Sequence, residues 1–278
     1  MTYDCSVVVI ARNAGNTIKE CIDSLKDQSL SPLEVIVVDN GSTDLTPKIA
    51  LDSSVIVVSE PVIGRGKARN RGVLSARGSM VAFIDSDAVA DKDWLKYLAD
   101  HGTDEKLAGV ASNICASNRD RLIPRMIDLI LRDKPQHATT GILYRKNSLL
   151  EVGLFNGELR NAEDVEIAWR IIRREYKIEF EPKAIVYHKH PEALRKFLYQ
   201  QYDFGRWSYI ARKLSGEPTS KSKLLIFFWP LTFFKHLTKI KKHPLLPFLL
   251  TASSMAYAVG TLRGALTIGM KAERKVTT

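Results

Sequence analysis

The chain has 278 residues, 45% of them hydrophobic and 26% charged, a balance that supports a buried core and excludes a disordered, collagenous or low-complexity protein. Its cysteines, Cys5, Cys21 and Cys115, are odd in number and show no paired spacing, which excludes a disulfide framework and suits small buried thiols in a reduced chain. The net charge of +10 is unevenly placed: residues 1–210 are balanced, while residues 211–278 carry 12 Lys and Arg against 2 Asp and Glu.

The opening MTYDCSVVVIARN has no basic residue before its apolar run, so it reads as a strand over 5–10 and not as a secretory leader. Residues 17–26 follow with Ile18, Cys21, Ile22 and Leu25 at helical spacing. Strands over 33–38, 55–58 and 80–84 then alternate with helices over 43–51, 67–76 and 91–99. Repeated strand–helix–strand units predict a parallel sheet covered by helices on both faces, and near-continuous Val and Ile runs fit strands buried on both sides. Beyond residue 105 the pattern is less regular. Strands are expected at 107–114, 141–144, 177–180 and 184–187. A helix over 161–176 places Val165, Ala168, Trp169, Ile172 and Tyr176 on its apolar face, and a longer helix is expected over 191–214. The expected domain boundary follows, with a catalytic domain over 1–214 and a basic, apolar helical appendage over 215–278.

In parallel sheets ligands bind beyond the carboxyl ends of the strands, and Asn13, Asp39 and Asp85 all sit just past such ends. A dinucleotide site needs G-x-G-x-x-G after the first strand, where this chain has ARNAGNT with one glycine. A P-loop needs G-x-x-x-x-G-K-[ST], and PVIGRGKAR has Pro61 and Ala68 at two of the required positions. Three acidic features remain: Asp39 in VVDNGSTD, the pair Asp85 and Asp87 in IDSDA, and Glu163–Asp164 at a helix start. Each alone has a plain structural reading, as an Asx-turn, a helix cap or a helix-dipole partner. Their joint occurrence in this order on an alternating sheet is hard to assign to structure alone.

The stretches SVVVIARN (6–13), VIVVDNGSTD (35–44), GRGKARNRG (64–72), GSMVAFIDSDA (78–88) and VGLFNGELRNAEDVEIAWR (152–170) together resemble the family-2 inverting glycosyltransferases of GT-A fold. The resemblance covers roughly residues 4–210. It implies a Rossmann-like, mostly parallel sheet flanked by helices, and a nucleotide-diphospho-sugar donor with UDP as the default nucleotide. It places Ala11, Arg12, Asn13, Asp39, Arg69, Asn70, Asp85 and Ser86 at the donor. Asp85 and Asp87, with His188 after the last strand, would bind Mn²⁺ or Mg²⁺. Asp164 would be the base that accepts the acceptor's proton, with the catalytic carboxylate Glu163 beside it. Asn40 and Val62 depart from the family's commoner aspartate and asparagine. QQYDFGRW (200–207) is similar to the Q-x-x-R-W signature of processive members, but four residues separate Gln201 from Arg206; transfer of a single sugar is expected. Alternative readings are a nucleotidyltransferase, which would need a G-x-G-[ST]-x-[LM] loop, and a non-catalytic membrane-bound sugar-nucleotide sensor.

The basic residues of the tail are interleaved with two uncharged runs, 224–234 and 244–262. A nucleic-acid arm would be polar between its charges, so no nucleic-acid partner is expected. The tail is expected on a membrane, at its cytoplasmic face, where a glycan or lipid-linked acceptor would be met. Residues 244–262 could lie on the surface, span it, or form a homo-oligomer interface.

Overall fold

A computed structural model of the chain describes residues 2–101, 106–217, 237–241 and 243–276. The uncharged run 224–234 lies outside them. The chain divides into two compact units, one comprising residues up to Asn118 with Leu131–Lys189, the other Arg119–Ile130 with the residues from His190 onward. The expected boundary after 214 falls inside the second unit.

The first unit carries β1 (Thr2–Ala11), α1 (Ile18–Lys26), β2 (Ser31–Asp39), α2 (Thr46–Asp52), β3 (Ile56–Ser59), α3 (Arg65–Ser75), β4 (Met80–Asp85), β5 (Ala88–Ala90), α4 (Trp94–Ala99) and β6 (Leu107–Ala116). After α5 (Leu122–Leu131) come β7 (Gly141–Arg145), α6 (Lys146–Glu151), α7 (Glu163–Arg173) and β8 (Lys177–His188). The strands form one sheet in the order β3-β2-β1-β4-β7-β6-β8-β5. Pairing is parallel from β3 to β4 and between β6 and β8, while β7 and β5 run antiparallel to their neighbours.

The alternation of side chains along each strand builds a core on each face. Val7 and Val9 of β1, with Ala82 and Ile84 of β4, pack with Ile18, Ile22, Leu25 and Trp94. Val8, Val81 and Phe83 point the other way, toward Ala68, Val73, Phe155, Ile167 and Ile171. Helix α3 lies so close to β1 that a Cβ on Gly72 would collide with Val8 Cγ1.

Three elements escape the periodicity. β5 has three residues, too few to show a period. α6 has six. α5 holds Pro124 in its first turn, a position where proline costs no hydrogen bond but which reads as a breaker. β8 is one strand where two were expected; its register shifts against β6 between Ser112 and Asn113, which absorbs the interruption at Pro182.

In the second unit, α8 (Leu194–Leu214) packs against α9 (Leu246–Val276). Cβ atoms on Gly205 or Gly260 would collide with the carbonyls of Tyr257 and Tyr202, so the helices meet backbone to backbone. Gln201 accepts from Ser253 Oγ at 3.3 Å, and the Arg206 guanidinium lies 5.6 Å from the Trp207 ring; QQYDFGRW thus contributes to this helix pair. Opposite that contact, Phe248, Met255, Val259, Leu262 and Leu266 are exposed. Among the described residues, no helix is long and apolar enough to cross a membrane.

Candidate active site

Every candidate site residue lies in the first unit. Register explains the assembly. Ala11 pairs with Asp39 and Ile10 with Asp85, so β2, β1 and β4 bring their carboxyl ends into one row. β7 runs antiparallel to β4 with Gly141 opposite Ile84, which sets Thr140 beside Asp85. β5 pairs with β8 so that Ala88 faces His188, which delivers the imidazole to Asp87.

At the end of the row formed by β1 and β2, the turns are tied by side chains. Asn13 takes a left-handed backbone, φ 51°; its Oδ1 accepts from Thr43 N–H at 2.8 Å, and its own N–H donates to Ser42 Oγ at 3.0 Å. Asp39 Oδ1 accepts from Ser42 N–H, three residues on, at 3.2 Å, which ties the side chain into the turn after β2. Asn40 is buried; it donates to the carbonyls of Glu60 and Val62 and accepts from Gly64 N–H. The departure from aspartate at position 40 therefore fixes the 60–64 loop. Ala11 is buried beside Asp39, and Arg12 is exposed.

The second cluster is at the end of β4. Asp85, Asp87 and His188 each offer one ligand atom, all within 4.8 Å of one another. Asp87 Oδ1 lies 3.3 Å from His188 Nε2. Burial works against charge on both groups, and their mutual contact outweighs it. Asp87 is held below the ordinary carboxylate range and His188 is raised. Thr140 Oγ1 donates to Asp85 Oδ2 at 2.7 Å. Ser86, the intervening residue, is half-buried.

The third cluster joins α3 to α7. Arg69 is 3% exposed; its Nη1 donates to Glu163 Oε1, and its Nη2 lies 3.5 Å from Asp85 Oδ1. Its guanidinium sits 5.8 Å from the Phe155 ring centre. Burial disfavours the cation, but the carboxylates of Glu163 and Asp85 outweigh that and raise its pKa. Asp164 is half-buried at the second residue of α7. Burial, with the adjacent Glu163 charge, pushes its pKa up to about 6, against the lowering effects of Arg69 and the Val165 N–H.

Asn70, expected at the donor, instead pairs both polar atoms of its amide with the Phe155 backbone, each at 2.8 Å. The face of α7 also differs from expectation. The buried residues are Glu163, Glu166, Ile167, Ala168 and Ile171, while Ile172 is 48% exposed. Glu166 forms a two-pronged pair with Arg170, at 2.8 and 2.7 Å, and Arg170 also donates to the carbonyls of Val152 and Leu154. Thr140 was not singled out in the sequence, and no local pattern marks it. Asp44 was legible in principle: in STDLT it accepts from Thr46 N–H and Gly15 N–H, both at 3.0 Å, which ties the first turn to α2.

A metal-capable triad at strand ends beside a carboxylate of raised proton affinity suits group transfer from a phosphorylated donor. The family profile described as "Glycosyl transferase family 2" matches residues 6–199. A pre-mycofactocin glycosyltransferase of Mycobacterium tuberculosis is 29% identical over 221 residues, 73% of this chain and 46% of that protein. A poly-beta-1,6-N-acetyl-D-glucosamine synthase of Staphylococcus epidermidis is 24% identical over 245 residues, 81% of this chain and 56% of that protein. The chain spans about half the length of these curated relatives. Among solved structures, a mannosyltransferase from Pyrobaculum calidifontis in complex with GDP-Man and Mn²⁺ superposes with a TM-score of 0.63 at 18% identity, covering 99% of this chain and 81% of that one. Glucosyl-3-phosphoglycerate synthase from M. tuberculosis, with Mn²⁺ and UDP-Glc, gives 0.57 at 24% identity, covering 78% and 80%. The fold is that of the GT-A glycosyltransferases. With the family profile running from the first strand into α8, this chain belongs to glycosyltransferase family 2.

Proposed function

We propose that the enzyme moves one sugar from a nucleotide-diphospho-sugar, by default a UDP-sugar, to an acceptor hydroxyl with inversion at the anomeric carbon. The observation that carries this reading is that Asp85, Asp87 and His188 each bring one ligand atom within 4.8 Å of the other two. Two carboxylates and an imidazole suit Mn²⁺, and an incomplete protein ligand set that substrate phosphates finish is the usual way Mg²⁺ is bound. An ion held there would neutralise charge on the departing nucleoside diphosphate. The solved neighbours that bind GDP-Man or UDP-Glc with Mn²⁺ support the same donor class.

Asp39, paired in register with Ala11 and next to Arg12 and Asn13 at the ends of β1 and β2, would meet the nucleoside. Asp164 takes the proton of the acceptor hydroxyl as the new C–O bond forms and the bond to the phosphate oxygen breaks. A carboxylate of ordinary acidity is a weak base; one raised to about 6 is largely ionised at neutral pH and still basic enough to accept the proton. One displacement with one base, and no covalent intermediate, inverts the anomeric centre.

The acceptor is proposed to be lipid-linked, at the cytoplasmic membrane face. The second unit supports this with the exposed apolar stripe of α9 and with exposed Lys239, Lys241 and Arg263. Charge complementarity favours anionic lipid over a second, equally basic copy of the chain. The test is a thermal-shift screen of UDP-, GDP- and dTDP-sugars with Mn²⁺, followed by NMR of the product's anomeric proton. Failure of every donor to give metal-dependent stabilisation, or a product of retained configuration, overturns the reading.

A further inference from the structure

Glu163 sits beside the base, but its surroundings do not suit a group that meets substrate. Its side chain is 2% exposed. Oε1 accepts from Arg69, and Oε2 has no hydrogen-bond partner. Arg69, equally buried, extends its other nitrogen toward Asp85. Two carboxylates, Glu163 and Asp85, therefore meet one guanidinium, and the charge of Asp164 adds to the field that favours the cation. Arg69 belongs to α3, Asp85 to the end of β4, and the two acidic residues to the head of α7. The planar guanidinium engages partners in fixed directions, unlike an ammonium. Its orientation is set from a third side by Phe155, whose backbone is held by Asn70.

We propose that Arg69 and Glu163 form a strut, buried from substrate, that fixes the spacing between the cation-binding carboxylates at the end of β4 and Asp164 at the head of α7. Glu163 is then a positioning residue, and Arg69 acts on the donor only through Asp85. The inference rests on the metal and base roles proposed for Asp85 and Asp164. It explains why a charged pair is retained where an apolar pair of similar volume would fold as well. It also explains the misread face of α7: the helix is docked by Glu163 through Arg69, and by Glu166 through Arg170, so its inward stripe is partly charged.

The test is a double-mutant cycle on the full chain with Glu163→Gln, Arg69→Lys and the pair. Glu163→Gln keeps the shape and an acceptor oxygen. Arg69→Lys keeps the charge and loses the fork. Calorimetric titration with Mn²⁺ alone and donor turnover are read in parallel, with unfolding curves to confirm that each variant is folded. Each single variant is expected to weaken Mn²⁺ binding three- to tenfold and to lower kcat about tenfold or more, with donor KM changed less than threefold. The pair should be no worse than the worse single variant, because groups acting as one unit are not additive. Glu163→Gln should also retain an acid limb in its pH–rate profile. Multiplicative losses in the cycle overturn the strut. So does a Glu163→Gln enzyme whose acid limb has vanished, since Glu163 would then be the base. If the wild-type chain turns over no donor, the glycosyl-transfer reading fails separately, and the Mn²⁺ cycle alone still decides whether the two residues act together.

Discussion

Asp164→Asn should make the enzyme slower and, above neutral pH, more stable. The rate loss follows from removing the proposed general base, about 10²–10⁴-fold, equivalent to about 2.7–5.5 kcal/mol of barrier. The stability gain follows from the raised pKa. In the folded chain Asp164 titrates near 6, against 3.8 for an unperturbed aspartate, because burial and the adjacent Glu163 charge disfavour its ionised form. The folded state thus holds this proton more tightly than the unfolded chain does. Its stabilising contribution is complete below about pH 4 and is lost as pH rises through 6. Roughly 2 pH units at 1.36 kcal/mol each gives about 3 kcal/mol as an upper bound. Asn is neutral throughout and escapes this loss.

The expected gap between variant and wild type is therefore near zero at pH 4 and about 1–3 kcal/mol in favour of the variant at pH 8. Denaturant unfolding in EDTA at pH 4, 6 and 8 measures it, with turnover assayed on the same preparations. For the wild type, kcat/KM should rise about tenfold per pH unit up to about 6 and then level off. A variant that keeps near wild-type turnover removes Asp164 from the chemistry. A variant that loses turnover but shows no pH-dependent stability gap refutes the account of a half-buried, proton-retaining carboxylate, even if the residue is essential.

Asp87→Ala should abolish Mn²⁺-dependent donor binding in calorimetry while shifting metal-free stability by no more than about 1 kcal/mol, since the side chain is 47% exposed; unchanged Mn²⁺ affinity removes it from the ligand set. Gly72→Ala should cost about 1–3 kcal/mol by overpacking α3 on β1, and Val8→Ala in the same chain should recover part of the loss, because the added methyl meets Val8. Val259→Glu combined with Leu262→Glu should abolish flotation of the full chain with anionic liposomes without changing donor binding. Wild-type protein that stays with the soluble fraction at low salt refutes the membrane proposal, and an oligomer dissolved by the same pair assigns the stripe to a second copy.

The sheet was legible because buried strands leave a dense signal. SVVVIA, VIVV and MVAFI have no other plausible use, and the acidic residues that end two of them mark the row of carboxyl ends. His188 was legible through the resemblance, and its place beside Asp87 follows from the β5–β8 register. β5 itself, with three residues, could not be seen. Other parts were hidden by the rule that makes helices readable. Periodicity assumes that the inward face is apolar. In α7 that face carries Glu163 and Glu166, each neutralised by an arginine from elsewhere in the fold or one turn along. Of the apolar stripe that the sequence offers instead, Ala168 is buried, Val165, Trp169 and Tyr176 are half-buried, and Ile172 is exposed to solvent. The contacts of Thr140 and Asn70 were hidden for a related reason. Their partners, Asp85 and the Phe155 backbone, lie 55 and 85 residues away, where no local spacing can announce them. A sequence reading therefore fails where charge is buried for positioning, and the failure on α7 falls on the helix that presents Asp164. Such local contradictions collect at functional sites; here the mismatch between the apolar stripe and the buried face of α7 was itself the sign that its glutamates were engaged.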